Sequence, residues 1–491
     1  MAAVDVLIIG AGPAGLAAGL RLRQLGYEVA LLERSKLWPR AHIGEALTPG
    51  VKAVLDQLEA HAALAGVAQR EQSPTRFCWK SKTPEITAHG QSMLIERAGM
   101  DAALLALARE RGVHVLQPAQ TGPIGGAPGG WQIPVRRGAG VEEWRARFIL
   151  DATGRQGNAA QHVYCAPRLL AMWAEFDSHH LNADLLAMTH IAAVEHGWLW
   201  GACLPNQRFR LMFVGDPVTP HKLMPGQPLA WLHYQCRQNP WFASLPQQSM
   251  IGNFHACCST PYFASDFWQP ARIKIGDCAF SLDPVSSSGV EKAMRFALHA
   301  ATAVHTLLRD EKQTPQALVH EFLQQRLIET CARHNLWAQR QYRQVWCGDA
   351  PFWQQRGAAF ACSTRDPQAQ TMADQMQAEM NALCQFRPPK PNQGPMLRAW
   401  QAIRFEPRVQ IVEVPCVLDG CIKLRAGLSH PHLERPLVFL ENEALLPRLG
   451  VILQGLTLGQ VLEILEPSMS MAKAQRILGW LWMNGLLESM E

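Results

Sequence analysis

The feature that most constrains this chain is its opening, where an apolar run, Val4 to Ile9, passes directly into Gly10-Ala11-Gly12-Pro13-Ala14-Gly15 and then into a Leu/Ala-rich stretch of helical character. That order reads strand, tight turn, helix. Glycines let the backbone turn sharply and approach a pyrophosphate closely. The helix that follows offers unpaired N–H groups and the positive end of its dipole to that anion. A second apolar run, Val29 to Leu32, ends in Glu33, a carboxylate placed to accept from ribose hydroxyls, with Arg34 beside it. A glycine triplet alone is a weak signal. Strand, glycines, helix, strand and terminal acid within one short unit predict a dinucleotide-binding module.

At 491 residues the chain is too long for one ordinary core, and two or three domains are expected. Hydrophobic residues at 48% and charged residues at 18% fit a water-soluble globular enzyme, and a net charge of +5 without long basic runs argues against nucleic acid as a partner. The 13 cysteines are scattered, with no CxxC or His-partnered spacing, so neither a metal site nor a disulfide framework is expected. The first strand begins within a few residues of Met1, which leaves no room for a cleavable signal, and no apolar stretch is long enough to cross a bilayer. The expected location is a reducing cytoplasm, with no membrane insertion.

Along the chain, Val51 to Leu64 and Met100 to Arg111 carry helical spacing, Phe77 to Trp79 reads as a short strand, and Arg147 to Leu150 as a strand ending in Asp151-Ala152-Thr153-Gly154. From about residue 165 to 270 strand-like alternation predicts a separate antiparallel sheet inserted into the nucleotide-binding chain. Arg272 to Ile275 returns to a buried strand followed by Gly276-Asp277, and helices dominate from about 290 to 385. The stretch Phe386-Arg387-Pro388-Pro389-Lys390-Pro391-Asn392 cannot continue a helix, so a linker is placed at 386–396 between a module of residues 1–385 and a small domain of residues 397–491. In that domain the pattern gives a hairpin at Asp419-Gly420, a strand Leu437 to Leu440, a helix near Leu445 to Leu453, and helices around Leu456 to Leu465 and Met471 to Leu487.

Together the opening glycines with Glu33, the Arg97 segment, the Asp151-Ala152-Thr153-Gly154 turn and the run from Gly276-Asp277 through Asp283-Pro284-Val285-Ser286-Ser287-Ser288-Gly289-Val290 resemble the single-chain FAD-dependent aromatic hydroxylases and halogenases. The resemblance covers residues 1 to about 380 and implies an α/β fold: a Rossmann-like FAD-binding domain of the para-hydroxybenzoate hydroxylase type with an inserted antiparallel substrate sheet. By that resemblance Gly10, Gly12, Pro13, Ala14 and Gly15 hold the FAD pyrophosphate, Glu33 binds the adenosine ribose, and Arg34 and Arg97 also belong to the cofactor-binding residues. Gly276 and Asp277 meet the ribityl chain, and Pro284, Ser288, Gly289 and Val290 lie at the flavin ring. Independently of family, Asp277 follows a buried strand and so lies at the sheet's carboxyl edge. The helix opened by Gly289 and Val290 can stabilise the negative charge of a reduced flavin.

Gly44-Glu45-Ala46-Leu47, the Asp283 to Val290 run and Gly197-Trp198-Leu199-Trp200 look like motifs of the flavin-dependent halogenase branch. One residue departs from it. The lysine that meets hypohalous acid precedes a Phe-x-Trp strand in that branch, and with Phe77-Cys78-Trp79 as that strand the position falls near Gln72; Lys80 and Lys82 lie just beyond. Without that lysine the scaffold implies hydroxylation: reduced flavin and O2 form a C4a-hydroperoxide that an electron-rich ring attacks, in a site that excludes water. Glu45, His42 and Glu175 are the candidate acids or bases, and Trp79, Trp173, Trp198 and Trp200 the candidate walls of a substrate cavity. A structural role stands as the alternative for each.

The last domain resembles the small winged-helix α+β modules that bind leader peptides in enzymes modifying ribosomal peptides, with plain packing or oligomerisation as the alternative. With the flavin motifs, the chain is similar to the flavoprotein monooxygenases of tryptophylquinone biogenesis in the quinohemoprotein amine dehydrogenase system. That likeness implies hydroxylation of a tryptophan in a precursor polypeptide partner, in the cytoplasm, with O2 and with NADH or NADPH as donor directly or through a reductase. A hydroxylase or halogenase of a small or carrier-bound aromatic metabolite, and a non-enzymatic flavoprotein partner of another oxidase, remain as other readings. The oligomeric state is left open.

Overall fold

Where the chain is apolar on both faces it builds the centre of a sheet. The computed structural model describes residues 2–36, 43–70, 74–87, 93–156, 162–309, 314–360, 362, 364–391 and 397–490. Ala2–Ile9 pairs in parallel with Val29–Leu32 on one side and Gly140–Asp151 on the other, and His114–Leu116 and Arg272–Lys274 extend the parallel order. Val6, Leu7, Ile8 and Val29 to Leu32 are buried, as strands covered on both faces must be. Ile9 lies in register with both Leu32 and Asp151, so Gly10, Glu33 and Ala152 leave the sheet at one carboxyl edge.

Helix α1 (Pro13–Gln24) rises from that edge with proline at its start, where a missing N–H costs nothing. Its small residues allow close packing: a Cβ on Gly19 would stand 3.5 Å from Ile8 and 3.8 Å from Leu31. Helix α2 (Arg97–Glu110) is capped by Glu96, whose carboxylate accepts from Gly99 N at 2.6 Å. The helix expected over residues 51–64 is shorter: it runs Gly50–Gln57, Glu59 takes a left-handed φ of 51°, and a separate turn follows at Ala62–Leu64.

The antiparallel sheet has seven strands, in the order Met250–Cys258, Leu170–Asp177, Arg208–Gly215, Gly197–Cys203, Thr189–Val194, Thr75–Cys78 and Glu85–Thr87. It is therefore not confined to residues 165–270. The last two strands come from upstream, and Thr75–Cys78 joins Thr189–Val194 in parallel, a pairing that local alternation cannot reveal. Alternation sorts its faces. Phe176, Leu199, Phe209 and Phe213 pack with Trp231 and Leu232 of the helix Pro228–Arg237, while Ala171, Trp198 and Trp200 face the other way. On that second side lie helices that follow α3 (Gly289–Arg309): α4 (Gln316–Arg343) contributes Tyr342, and α5 (Pro351–Gly357) contributes Phe352 and Trp353.

The chain divides into two compact units, Met1–His305 with Arg326–Gln377, and Thr306–Gln325 with Ala378–Glu491. The second is larger than the stretch after the proline-rich segment because the ends of long helices belong to it: Ile422 N donates to Thr306 Oγ1 at 2.9 Å, and Arg435 pairs with Glu379 at 3.7 Å. Residues 386–391 have no regular structure, and residues 392–396 of the expected linker lie outside the described residues. Within this unit the hairpin Gln410–Leu418 and Cys421–Ser429 turns at Asp419 and Gly420, both with positive φ, as a two-residue hairpin turn requires.

The expected strand at 437–440 shortens to Phe439–Leu440, and the helix near 445–453 is a 3-10 turn, Arg448–Gln454. The final helix stops at Met483; Gly485 takes φ 69° and the chain returns as a strand, Leu487–Met490, paired with Ala402–Phe405. Among the described residues, no helix is long and apolar enough to cross a membrane.

Candidate functional site

A cavity of about 980 Å³ opens at the carboxyl edge of the parallel sheet, and its floor is the glycine turn. Gly10 has φ 109°, and a Cβ there would stand 2.4 Å from Ala152 O; a Cβ on Gly15 would stand 2.0 Å from Gly10 O. Those two glycines are packing requirements. Gly12 differs: a Cβ there would meet nothing within 4 Å, because the position faces the cavity with Pro13 and Ala14. The first turn of α1 carries no side-chain cap and no acidic residue. Uncapped N–H groups beside an open cradle are what a pyrophosphate needs. Glu33 is 2% exposed and accepts from Ala11 N at 3.1 Å and Ser35 N at 2.8 Å, which fixes its carboxylate at the cavity wall next to Arg34. The geometry fits the adenosine diphosphate half of FAD.

From there the cavity runs past Arg97 and Gly276 to Asp277. Arg97 is buried, paired with Asp101 at 3.2 Å, and donates to the carbonyls of Ile43 and Gly44 at 3.3 Å, so it also braces the loop leading to Glu45. Asp277 sits between Lys292 Nζ at 2.7 Å and Arg155 Nε at 3.3 Å. Burial pushes its carboxyl upward, but the two cations outweigh that and hold it below the usual aspartate range. Sequence reasoning missed Arg155 and Lys292. Arg155 directly follows the Thr153-Gly154 turn, and Lys292 lies one helical turn past Ser288, its backbone N–H donating to Ser288 O at 2.9 Å.

At the far end Pro284, Ser287, Gly289 and Val290 line the wall. Ser288, expected there, is absent from the lining: its hydroxyl turns to Ser286 Oγ at 2.6 Å, and Ser287 takes the position with φ 54°. Gly15 likewise lies behind the lining.

Of the three candidate acids or bases, His42 lies outside the described residues. Glu45 does line the cavity, but its carboxylate is claimed by the buried Arg210 guanidinium and by Gly44 N at 3.0 Å. Glu175 lines neither cavity; it pairs with the same Arg210 and with Arg208 at 3.0 Å. One cation is thus shared by two carboxylates, and the group braces the cavity wall at Glu45. Burial lowers the Arg210 guanidinium itself to about 10. Arg210 had no signal in the sequence.

The tryptophans divide. Trp198 lines the first cavity, Trp79 lines a second cavity of about 450 Å³, and Trp200 lines both. Trp173 lines neither and stacks on His255 with ring centroids 5.2 Å apart. Ala46, Trp200 and Ser287 are common to the two cavities and form the wall between them. Trp79 is locked by its Nε1 donating to Gln341 O at 2.9 Å and by an edge contact to Trp353 at 5.5 Å. Lys80 lines the second cavity, whereas Lys82 rests over the Trp346 ring at 4.7 Å; the Gln72 position lies outside the described residues.

Residues 5–162 match the family described as FAD dependent oxidoreductase. Over 331 residues the sequence is 26% identical to a tryptophan 2-halogenase of Chondromyces crocatus, covering 62% of this chain and 62% of that protein. The chain thus spans less than two thirds of that relative's length. The solved structure of CmlS, a flavin-dependent halogenase, shares the fold with a TM-score of 0.71 at 19% identity, over 100% of this chain and 96% of the other. That of QhpG, a peptidyl tryptophan dihydroxylase essential for tryptophylquinone cofactor biogenesis, shares it with a TM-score of 0.71 at 21% identity, over 99% and 100%.

Proposed function

The chain belongs to the FAD-dependent oxidoreductases of the aromatic monooxygenase and halogenase type, and from that premise we propose that it hydroxylates the indole of a tryptophan in a precursor polypeptide during quinone cofactor biogenesis. The observation that carries this reading is the second cavity, about 450 Å³, with Trp79, Trp200 and Trp337 among its walls and Ser287 shared with the ring end of the first. A flat, electron-rich ring held there lies one wall away from the flavin. When bound and reduced, FAD supplies oxygen activated from O2, toward which indoles and phenols are nucleophilic.

The chain's own part is to hold, orient and exclude water. Trp79 cannot turn while its N–H is bonded to Gln341, and the Glu45–Arg210–Glu175 group fixes the side of the cavity at Glu45. The whole-chain likeness to a peptidyl tryptophan dihydroxylase supports a polypeptide as substrate, with the second compact unit as the module that recognises it. NADH or NADPH, directly or through a reductase, is the proposed electron source, and the cytoplasm the proposed location.

The test is intact-mass analysis of a tryptophan-bearing precursor polypeptide after incubation with FAD-loaded protein, NADH and 18O2. Mass gains in steps of one labelled oxygen, indifferent to chloride or bromide, are expected; an unlabelled or unchanged polypeptide would refute the reading. One observation favours halogenation instead: Lys80 faces the cavity that Trp79 walls. Halide incorporation that disappears in Lys80→Met would establish that alternative.

A further inference from the structure

Ser287 stands in the wall between the two cavities in a left-handed conformation, φ 54° and ψ 17°. A residue with a Cβ is conformationally disfavoured there, so something must hold the turn in place. The holding group is Asp283, whose side chain is 2% exposed. Its Oδ1 accepts from Val285 N at 3.1 Å and from the Tyr342 hydroxyl at 2.7 Å, and its Oδ2 pairs with Arg356 at 3.3 Å. Its backbone carbonyl accepts from His334 Nε2 at 3.1 Å.

Arg356 reaches further. It donates to the carbonyls of Pro167 and of Arg168, the latter at 2.9 Å, just before the strand Leu170–Asp177 of the antiparallel sheet. Burial, reinforced by the Asp283 carboxylate, pushes the Tyr342 hydroxyl well above the usual tyrosine range, so it stays protonated and donates. The turn these groups hold runs directly into Gly289, the first residue of α3, whose N-terminus opens on the cavity.

We propose that Tyr342 and Arg356 are positioning residues which, through Asp283, hold the Pro284–Ser287 turn and the N-terminus of α3 against the ring end of the cofactor cavity. With the glycine turn and Glu33 taking the adenosine diphosphate half of a bound FAD, the lining from Leu282 to Val290 would be left to its flavin ring. A helix N-terminus favours the anion that a reduced flavin becomes, and only while it is aimed correctly. The clamp therefore governs the preference for reduced over oxidised FAD, and it leaves the adenosine end untouched. This goes beyond the proposed hydroxylation and does not depend on the substrate.

The test uses full-length Tyr342→Phe, which removes one bond to the carboxylate with little change of volume, and Arg356→Lys as the second variant. FAD affinity and the visible flavin bands are measured in the oxidised state, and the ratio of affinities for oxidised and reduced FAD is obtained by dithionite titration. Oxidised FAD should bind with unchanged affinity, its bands should shift, and the ratio should move about tenfold against reduced FAD, the loss expected for one hydrogen bond to a buried charge. Adding Ser287→Gly to Tyr342→Phe should recover most of that ratio, because glycine takes the positive φ without restraint. Unchanged bands and ratio in both variants would overturn the proposal. Loss of oxidised-FAD binding in both would also overturn it, since the network would then be serving the fold as a whole. Neither measurement requires activity on a polypeptide, so failure of the clamp and failure of the proposed hydroxylation are distinguishable.

Discussion

The two ends of the cofactor cavity are built on different terms. The glycine-turn end uses backbone: Gly10, Gly12 and Glu33 come from one continuous strand, helix and strand, and the N–H groups they arrange are there because of local conformation. The rest of the cavity is held by side chains gathered from distant parts of the chain, with Asp277 against Lys292 and Arg155, Arg210 between Glu45 and Glu175, and Asp283 between Tyr342 and Arg356. A backbone cradle tolerates change until its space is filled. An ion-pair cluster fails when one partner is removed, because the partner left behind stays buried and unpaired.

Filling the cradle should give the largest effect. Gly12→Trp places an indole where a Cβ now meets open space, and the purified protein should retain no FAD while its fold is intact by circular dichroism. Retention of FAD would mean that the two ends do not divide the work as described. Breaking the cluster should cost less but affect the fold itself. Arg210→Met leaves Glu45 and Glu175 without their shared cation, and the expected loss is about 3 kcal/mol of stability in denaturant unfolding, the scale for a broken buried pair. A change below about 0.5 kcal/mol would put this cluster on the footing of an exposed pair.

The smallest effect is expected from Lys292→Met and should be seen as a pH dependence. The Asp277 carboxyl is held low in the folded protein, so its contribution to stability is present above the ordinary aspartate pKa and is lost as pH falls through the lower folded value. Removing one of its two cations raises the folded value. The acid-side fall of Tm should therefore begin at higher pH in the variant, modestly, because the carboxylate is 36% exposed and partly screened. Coincident Tm profiles for the two proteins would show that Arg155 alone sets the carboxyl.

What could be read in advance follows the same division. The strand Val29–Leu32 with Glu33, the helix opened by Pro13, and the hairpin at Asp419-Gly420 were legible because each is decided by neighbours a few residues away. Ser287 in place of Ser288 was not legible, since three consecutive serines carry no sign of which will take the left-handed position. The strand Thr75–Cys78 was seen, but its place in a sheet beside Thr189–Val194 was not, and the closing strand Leu487–Met490 was hidden by the helical spacing before it.

By itself, then, the amino-acid order determined the dinucleotide-binding edge: an apolar strand, glycines where a Cβ would collide, and an acid at the next strand's end act through local sterics and hydrogen bonds that need no distant partner. Only the tertiary structure decided which charges meet. Arg210 stands 165 residues from Glu45, Arg356 73 from Asp283, and Trp79 262 from Gln341. Electrostatic and packing partners at such separations are chosen by how sheets and helices stack, and a side chain's role as acid, wall or brace is settled only once its neighbour is in place.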